Sequence, residues 1–499
     1  MPPLLSFIQR FRRAAGVHAT VALLLACVFA PPRYADGQSS APRAPAAGSA
    51  PLTEPAAGAM LQRRGAAAAA TQGTAAPAPA QGAAPASADT AEEMRVFLVT
   101  MGPGDEVWEK FGHDAIWVHD PEDRTDQAYN YGMFDFRQAN FYSNFARGRM
   151  QYWMQGFGAV PTVEYYARQN RTVWLQELNL TLEQKREMKR FLLWNARPRN
   201  KLYRYDYYLD NCTTRVRDAI DRIVGGAIHA RFANEPSPFT FRSETERLTV
   251  DDVPTYTGLM IGLAEPADRP ITAWEDLFLP GRLRDAIRKV SVPDGHGGMR
   301  PLVKHEHIAV GAVGRAPERT EAPNRIPEYL LAGIVLAAVV AALGWAAARY
   351  GGAARAGYSV AVVLWTLLTG VGGIVLAALW MFTDHAIAYR NENLFQLDPL
   401  SLPLLVLLPA LAYGARWAVR AGPGLAVAVA ALSVLGFALQ ALPGIDQVNG
   451  VVIALALPVN LALAWTALRL RDAAGGVRVE GETADARAAR RRAARGGAR

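Results

Sequence analysis

The chain has 499 residues, of which 51% are hydrophobic and only two are cysteines. Collagen is excluded because the glycines have no fixed period, and a disulfide-stapled mini-protein is excluded because two cysteines form at most one bridge. The formal net charge is +8, but arginines crowd the last stretch of the chain, directly after a long apolar region. That position is typical of a cytoplasmic segment beside a membrane, so we predict no nucleic acid partner.

The N-terminal segment has the pattern of an export signal. Three arginines precede an apolar run from Val21 to Ala30, which is too short to span a bilayer comfortably. Residues 1–36 are therefore predicted to be a signal sequence or an N-terminal anchor. Cys27 follows a sequence that faintly resembles a lipobox, so lipidation, cleavage and an uncleaved anchor all stay open.

A folded α+β domain is predicted over residues 93–300. It follows an Ala/Pro-rich segment, 37–92, which buries too little apolar surface to fold and is predicted to be a disordered linker. Thr181 and Gln184 form a capping box at the start of one helix, and Asn211 is a good N-cap for another. The predicted strands are Arg95 to Thr100, Ala115 to His119, Ala128 to Phe136 and Thr172 to Leu180.

Five apolar stretches follow a linker predicted at 301–327. Each is long enough, or nearly so, to cross ~30 Å of hydrocarbon, although the third is the shortest and contains two prolines. We therefore predict an all-α transmembrane region of five helices over 328–470 and a basic cytoplasmic tail over 471–499. The stretches are Tyr329–Ala348, Tyr358–Phe382, Leu400–Ala415, Gly424–Leu442 and Gly450–Leu468.

Arginines set the expected orientation of these stretches. They concentrate in alternate connections, so the positive-inside rule places both chain termini in the cytoplasm and residues 93–320 outside. In a Gram-negative cell, that arrangement corresponds to an inner-membrane protein with a periplasmic domain. The arginines are Arg349, Arg355, Arg416, Arg420, Arg469 and Arg471.

Cys212 is the only cysteine in the predicted exported domain. A lone thiol in an oxidising compartment has no intrachain disulfide partner. Asn211 places this thiol in the first turn of a helix, where unpaired amides and the helix dipole favour a thiolate and can stabilise an oxyanion. We predict a nucleophile, with an inert buried cysteine as the alternative.

A thiol nucleophile needs a base, and the domain offers several histidines. His113 is favoured because it follows a glycine at the start of a predicted strand, whereas His119 lies at the polar end of that strand. His229 follows the cysteine helix. His305 and His307 flank a glutamate, but two histidines without a third ligand in register are a weak metal signal, so no metal site is predicted.

Three segments make the sequence recognisable, namely FGHDAIWVHD, YNYGMFDF and YDYYLDNCTTRVRD. Together they resemble the Lnb N-terminal periplasmic domain family, named for a bacterial lipoprotein N-acyltransferase, and the resemblance extends into the multi-span region. The family looks like a circularly permuted papain-like fold, as in lecithin:retinol acyltransferase, where a histidine precedes an Asn-Cys at a helix start. The resemblance implies a His113–Cys212 dyad and acyl transfer through a thioester. It also implies an amine acceptor on a lipoprotein's diacylglyceryl-cysteine.

Further residues are candidates for supporting roles. Asn130, on the next predicted strand, could orient the histidine ring. Tyr207 is a candidate substrate-binding residue, with core packing as the alternative. His385, Asn391 and Asn393 lie in the outer connection after the second apolar stretch. They are candidate substrate-binding residues, with a hydrated loop as the alternative.

These features predict a membrane-bound cysteine acyltransferase that requires no cofactor. Its expected partners are membrane lipids and lipoprotein substrates, and the basic aromatic stretch FYSNFARGRMQYW fits either lipid headgroups or a solvated surface. Two alternatives stay open: a thiol peptidase or amidase acting on cell-wall peptide, and a noncatalytic membrane scaffold or sensor.

Overall fold

The computed structural model describes residues 93–294 and 296–496, with side chains up to residue 474. The predicted signal sequence and the predicted linker over 37–92 lie outside the described residues. The described chain divides into two compact units. The sheet unit comprises residues up to Leu248 together with Pro270–Thr320, and the helical unit comprises Thr249–Arg269 together with residues from Glu321 onward. The domain predicted over 93–300 thus contains one segment that belongs to the helical unit.

The sheet unit is built on a seven-stranded antiparallel sheet in the order β6-β4-β3-β2-β1-β5-β9. Four of its strands, β1, β2, β3 and β5, coincide with the strands predicted from sequence. The predicted 301–327 linker begins instead with a strand, because β9 pairs with β5. The strands are β1 (Arg95–Met101), β2 (His113–Asp120), β3 (Thr125–Met133), β4 (Gln151–Gly158), β5 (Val173–Leu178), β6 (Leu202–Arg204) and β9 (Val303–Val310), with a separate ribbon of β7 (Ser291–Pro293) and β8 (Met299–Pro301).

Helices cover both faces of this sheet. Alternate residues of β1 point to opposite sides: Leu98 packs in the main core with α3, α4 and α9, whereas Val99 packs with Tyr166 of α2. The predicted capping box at Thr181 of α3 and the predicted N-cap at Asn211 of α4 are confirmed, and Asn211 also forms a capping box with Thr214. The helices of the sheet unit are α1 (Phe141–Ala146), α2 (Ala159–Arg168), α3 (Leu182–Asn195), α4 (Cys212–Ile223), α5 (Ala227–Phe232), α6 (Phe241–Thr249, ending at the unit boundary), α8 (Ala273–Asp276) and α9 (Pro280–Ile287).

The helical unit holds α7 and the apolar helices. Among the described residues, four helices are long and apolar enough to cross a membrane. The predicted count of five is not confirmed, because α12 has 12 residues and rises only ~18 Å, short of the ~30 Å of hydrocarbon. The last helix also runs to Gly496, so the predicted tail over 471–499 is largely helical. The helices are α7 (Val253–Gly262), α10 (Ile326–Tyr350), α11 (Gly352–Phe382), α12 (Ser401–Ala412), α13 (Arg416–Leu439) and α14 (Gly450–Gly496).

The short helix α12 lies antiparallel against the first two-thirds of α11. A Cβ added at Gly370 of α11 would lie 2.6 Å from Leu402, near the start of α12. Farther along α11, Gly373 approaches the carbonyl oxygen of Leu397, before α12 begins. The irregular segment 383–400 therefore turns back beside the last part of α11, and α12 continues in the same direction.

Candidate active site

Cys212 is the first residue of α4, and the Asn211 cap fixes its position. The Asn211 Oδ1 atom accepts the Thr214 N–H at 2.9 Å, and its Nδ2 donates to the carbonyls of Tyr207 and Phe278 at 3.0 Å each. Because both ends of this buried amide are engaged, the start of the helix is held firmly. Cys212 is a free cysteine, and the residue is half-buried against the main core.

Two backbone N–H groups, those of Asp114 and Thr213, donate to the Cys212 sulfur. Burial and, to a smaller extent, the negative charge of Asp114 nevertheless raise the pKa of this thiol to about 11. The expected helix-dipole thiolate is therefore not the resting form, since desolvation outweighs the amides. The thiol is protonated at neutral pH, so a base must remove its proton during attack.

His113 is the first residue of β2 and follows a glycine turn. Gly112 has a φ of 80°, and an added Cβ would lie 2.8 Å from the Met101 carbonyl oxygen, so glycine is required there. The His113 Nε2 atom lies 3.1 Å from Asn130 Oδ1. Asn130 Nδ2 donates to the carbonyl of Ala128, which leaves Oδ1 as the atom that faces the ring. Nε2 therefore carries the imidazole proton, and Nδ1 keeps a lone pair that can act as a base.

The neutral form of His113 is favoured by its surroundings. Burial and, to a smaller extent, the charge of Arg171 lower the pKa of His113 to about 4, although the hydrogen bond to Asn130 opposes them. Tyr166 stacks on the His113 ring with centroids 6.2 Å apart, and the Arg171 guanidinium lies 4.8 Å from the centre of the same tyrosine ring. Tyr166 thus contacts both the imidazole and the cation that keeps it neutral.

The structure brings His113, Asn130 and Cys212 to one end of the sheet. The Asp114 amide that donates to the sulfur belongs to the residue directly after His113. The β2–β3 register pairs Asn130 with Ala115, two residues after His113. A Cβ added at Gly132, whose φ is 80°, would lie 3.3 Å from Cys212 Cβ. The close approach of helix α4 to β3 therefore requires glycine at this position.

Tyrosines line the other side of the thiol. The rings of Tyr203 and Tyr205 lie 6.4 Å apart, and both interact electrostatically with Cys212. The Tyr203 hydroxyl is buried; the backbone N–H of Gly132 approaches its oxygen, and no acceptor for its proton lies in hydrogen-bond geometry among the described residues. The predicted substrate-binding residue Tyr207 lies one ring farther out, 6.0 Å from Tyr205, and its hydroxyl donates to Met150 Sδ. Its role in substrate binding stays a prediction.

The other candidate histidines of the sheet unit lie elsewhere. His119 is six residues from His113 along β2, a distance of ~20 Å, and its Nδ1 contacts a carboxylate. His229 packs edge-on against a tryptophan ring, while His305 and His307 line a separate shallow pocket on the sheet. Among the described residues, no group of three or more metal-ligating side chains occurs.

The three candidate residues of the outer connection lie in the helical unit. Asn391 and Asn393 are buried, and their Nδ2 atoms donate to backbone carbonyls of residues 260–262 at 2.9 to 3.1 Å. They hold the end of α7 and do not form a hydrated loop, because that helix end supplies carbonyls that need donors. His385 caps a single 3-10 turn, Ala386–Ala388. A substrate-binding role for these residues stays a prediction.

Three site residues were not predicted from the sequence. Gly132 could have been identified from the sequence, because a glycine inside a strand pattern marks a bulge or a close backbone approach. Arg171 and Tyr203 could not, because neither residue lies near Cys212 or His113 in the chain. Alternation along β2 turns the Asp114 side chain away from His113, and Asp114 accepts the Thr100 hydroxyl at 2.8 Å.

Family comparisons match both parts of the chain. Residues 84–247 match the Lnb N-terminal periplasmic domain, which includes His113, Asn130 and Cys212. Residues 327–463 match the Lnb transmembrane domain, which includes α10 to α13 and most of the apolar part of α14. No match was found among curated proteins or among solved structures. With both of its defining domains present in order, the chain belongs to the Lnb family, as a membrane protein with a periplasmic domain and a transmembrane domain.

Proposed function

We propose that this protein is a cysteine acyltransferase of the bacterial inner membrane. It would move a fatty acyl group from a lipid ester, through a thioester on Cys212, to the N-terminal amine of a lipoprotein. The observations that carry the proposal are the hydrogen bond between His113 Nε2 and Asn130 Oδ1, which leaves Nδ1 as the basic nitrogen, and the backbone hydrogen bond from Asp114, the next residue, to the sulfur of the helix-capped Cys212. The apolar helices support it as well, because a substrate with acyl chains stays in the bilayer.

In the first step, the sulfur attacks the ester carbonyl as His113 Nδ1 takes the thiol proton. A carbon–sulfur bond forms and the carbonyl electrons move to oxygen. The Asp114 and Thr213 amides at the sulfur stabilise negative charge in this small volume. The intermediate then collapses, the carbon–oxygen bond to the alcohol breaks, and the imidazolium returns the proton to the departing alkoxide.

In the second step, the lipoprotein amine attacks the thioester. His113 accepts a proton from the amine nitrogen, the carbon–sulfur bond breaks, and the thiolate is reprotonated. The products are an amide and the original thiol. Because the thiol and the imidazole both rest in neutral forms, each cycle returns the site to its starting charge.

The fold interpretation belongs to the same proposal. The chain order is histidine, asparagine and then cysteine at a helix start, which is the order of the permuted papain-like arrangement. The antiparallel sheet, the helix that carries Cys212 and the His113–Asn130 bond all support that interpretation. The same dyad can cleave amides, so the experiment has to distinguish transfer from cleavage.

Mass spectrometry of lipoprotein N-termini is the direct test. Cells with the wild-type protein should carry an N-acyl group on a model lipoprotein, and cells with Cys212→Ser should not, although the variant folds and inserts. A thiol-reactive lipid analogue should label the wild type and leave Cys212→Ser unlabelled. Acylation that persists in Cys212→Ser would make the cysteine structural. Cleaved cell-wall peptide without acylation would instead support an amidase.

A further inference from the structure

A surface of exposed aromatic side chains lies in the sheet unit beside the candidate active site. Trp108 is 55% exposed, Phe136 37%, Tyr142 72% and Phe145 44%. Soluble surfaces rarely present several large aromatic rings together, and such a cluster indicates an interaction site. We call these four residues the aromatic patch.

The patch is continuous because its rings contact one another or a shared ring beneath. Trp108 meets Phe136 edge-on with centroids 6.0 Å apart. Phe141, which is buried, lies 5.1 Å from Phe136 and 5.5 Å from Tyr142. Phe145 stacks on the other side of Phe141 at 6.3 Å. These contacts join a 3-10 turn, the end of β3 and helix α1 into one surface.

The patch also connects to the nucleophile through a row of rings. Phe134 lies 5.2 Å from Phe136 and stacks on Tyr152 at 5.1 Å. Tyr152 lies 4.3 Å from Tyr205, which in turn interacts with the Cys212 thiol. An unbroken row of ring contacts therefore joins the exposed patch to the tyrosine that interacts with the sulfur.

The net positive charge of the segment around the aromatic patch favours binding to an anionic surface. Residues 134–150 contain Arg137, Arg147 and Arg149 against the single acidic residue Asp135, which pairs with Arg137. Arg147 and Arg149 are exposed beside the aromatic rings. Tryptophan and tyrosine with nearby arginines are the side chains that concentrate at membrane–water interfaces.

We propose that the aromatic patch inserts into the interfacial layer of the lipid bilayer and delivers a lipid acyl group along the ring path to Cys212. The docking itself needs only the patch and an anionic bilayer, while the delivery step rests on the proposed acyl transfer. A lipid surface fits better than a protein partner because the same chain carries helices that are long and apolar enough to cross a bilayer. The sheet unit is therefore attached to the membrane through its own chain. A lipid surface also fits because the row of rings leads to Cys212, whose sulfur would take the acyl group from a lipid ester.

Depth-dependent fluorescence quenching tests the docking. The full-length chain, with Cys27→Ser and Cys212→Ser, carries a bimane label at Tyr142→Cys and is reconstituted in vesicles of phosphatidylethanolamine and phosphatidylglycerol. Headgroup- and shallow-chain spin-labelled lipids should quench this label strongly. The matched control is Leu193→Cys, an exposed apolar position on α3, whose label should stay unquenched. Equal quenching at the two positions, or quenching by neither lipid, overturns the proposal.

Activity on two substrates tests the delivery. Tyr142→Ser and Phe145→Ser alter exposed rings and should leave the fold intact. We expect each to lower acyl transfer from bilayer lipid by at least about tenfold while p-nitrophenyl butyrate in solution is still hydrolysed at the wild-type rate. Leu193→Ser should change neither rate.

The two measurements separate the possible failures. A wild-type protein that turns over neither ester would contradict the proposed acyltransferase activity. The quenching experiment would still show whether the aromatic patch docks on the bilayer. Equal losses on both esters in Tyr142→Ser would contradict delivery through the patch. A Tyr142 label that is shielded only at high protein density, and not quenched by spin-labelled lipid, would identify a contact between copies of this chain and overturn the proposal.

Discussion

His113 and Cys212 rest as a neutral imidazole and a neutral thiol. The pKa of the thiol is raised to about 11 and that of the imidazole is lowered to about 4, both mainly by burial. An ion pair between them is therefore unfavourable before substrate arrives, and proton transfer has to accompany attack on the carbonyl. Such a site protects a lone cysteine in an oxidising compartment, because the thiolate is the form that oxidises.

The Asp114 carboxyl should control how the thiol responds to pH. Burial raises the pKa of Asp114 to about 7, so above that pH its charge is present and raises the pKa of Cys212. Asp114→Asn keeps the backbone N–H and the acceptor for Thr100 but removes the charge. Iodoacetamide should therefore alkylate Cys212 on the order of tenfold faster in the variant above pH 8, since a lower pKa gives more thiolate. Below pH 6 the two proteins should react alike.

Mass spectrometry of the alkylated protein, in a Cys27→Ser background, gives these rates across pH 5 to 9. Cys212→Ser supplies the blank. Identical rates for the variant and the wild type at every pH would show that Asp114 does not act on the thiol.

Tyr203 is the residue expected to donate to the oxyanion. A Cβ added at Gly132 would lie 3.3 Å from Cys212 Cβ and 3.9 Å from the Tyr203 hydroxyl, so this hydroxyl lies near the reacting sulfur. Burial holds the pKa of Tyr203 well above its ordinary value, so the hydroxyl keeps its proton. The Arg215 guanidinium lies 4.4 Å from the centre of the ring and is itself held by Asp210 at 2.6 Å.

Tyr203→Phe should lower acyl transfer about 10²-fold, the usual cost of one oxyanion donor. Alkylation of Cys212 by iodoacetamide should not change, because that reaction forms no oxyanion. Tyr129→Phe is the matched control, since Tyr129 also has a buried hydroxyl without a hydrogen-bond partner among the described residues, near Lys189. If Tyr203→Phe and Tyr129→Phe lose the same amount of activity, the loss comes from disturbed packing and not from a lost hydrogen bond to the oxyanion.

At the scale of elements, the sequence predicted those parts whose signals are local. The apolar run of β1, the alternation of β5, the capping box of α3 and the N-cap of α4 are patterns within a few neighbouring positions, so they could be recognised. Strand β4 was missed because aromatic residues and glycines obscure its alternation, and β6 was missed because it has only three residues. The His113–Asn130 pair was predictable from adjacent strands, whereas Tyr203 reaches the thiol only through the β4–β6 pairing.

The cap of α4 should be worth more than an ordinary helix cap. Asn211→Ala removes the acceptor for Thr214 and leaves the carbonyls of Tyr207 and Phe278 without their donor. We expect a loss of about 2–3 kcal/mol in stability, because a lost cap costs ~1 kcal/mol and buried carbonyls without donors add to it. Cys212 alkylation should also become faster, since a loosened helix start exposes the thiol.

Thr181→Ala on α3 is the matched control, because Thr181 caps its helix with one side-chain acceptor and lies on another element. It should cost ~1 kcal/mol and leave alkylation unchanged. Thermal unfolding in detergent and the alkylation rate measure both effects. Equal destabilisation by the two substitutions, with no change in thiol reactivity, would contradict the special role of Asn211.

At the scale of the whole molecule, hydropathy located the apolar stretches but not how the third one crosses. The segment 383–400 was predicted as an outer connection, yet it packs back along α11 with buried polar residues. Gln396 accepts the Ser433 hydroxyl and donates to the Ser433 carbonyl at 3.0 Å, and its own carbonyl accepts from Asn460. Irregular backbone is tolerated at membrane depth where protein surrounds it, so these contacts allow the segment to share the crossing with α12. Sequence alone could not show this packing, because Ser433 and Asn460 lie 37 and 64 residues from Gln396 along the chain.

A crossing shared in this way would give the chain a specific topology. If segment 383–400 and α12 together traverse the bilayer, then α10, α11, this composite element, α13 and α14 make five crossings. The arginine-rich connections at Arg349–Arg355 and Arg416–Arg420 then lie on one side with the chain end, as the positive-inside rule requires. Alkaline phosphatase fused after Pro327 or at Gly444 should be active, and fusions at Gly414 or after Arg471 should be inactive. If α12 does not complete a crossing, all later segments lie on the opposite side of the membrane. The fusions at Gly414 and after Arg471 are then both active. A β-galactosidase fusion at each site provides the reciprocal control, because it is active only in the cytoplasm and shows that an inactive phosphatase fusion was made.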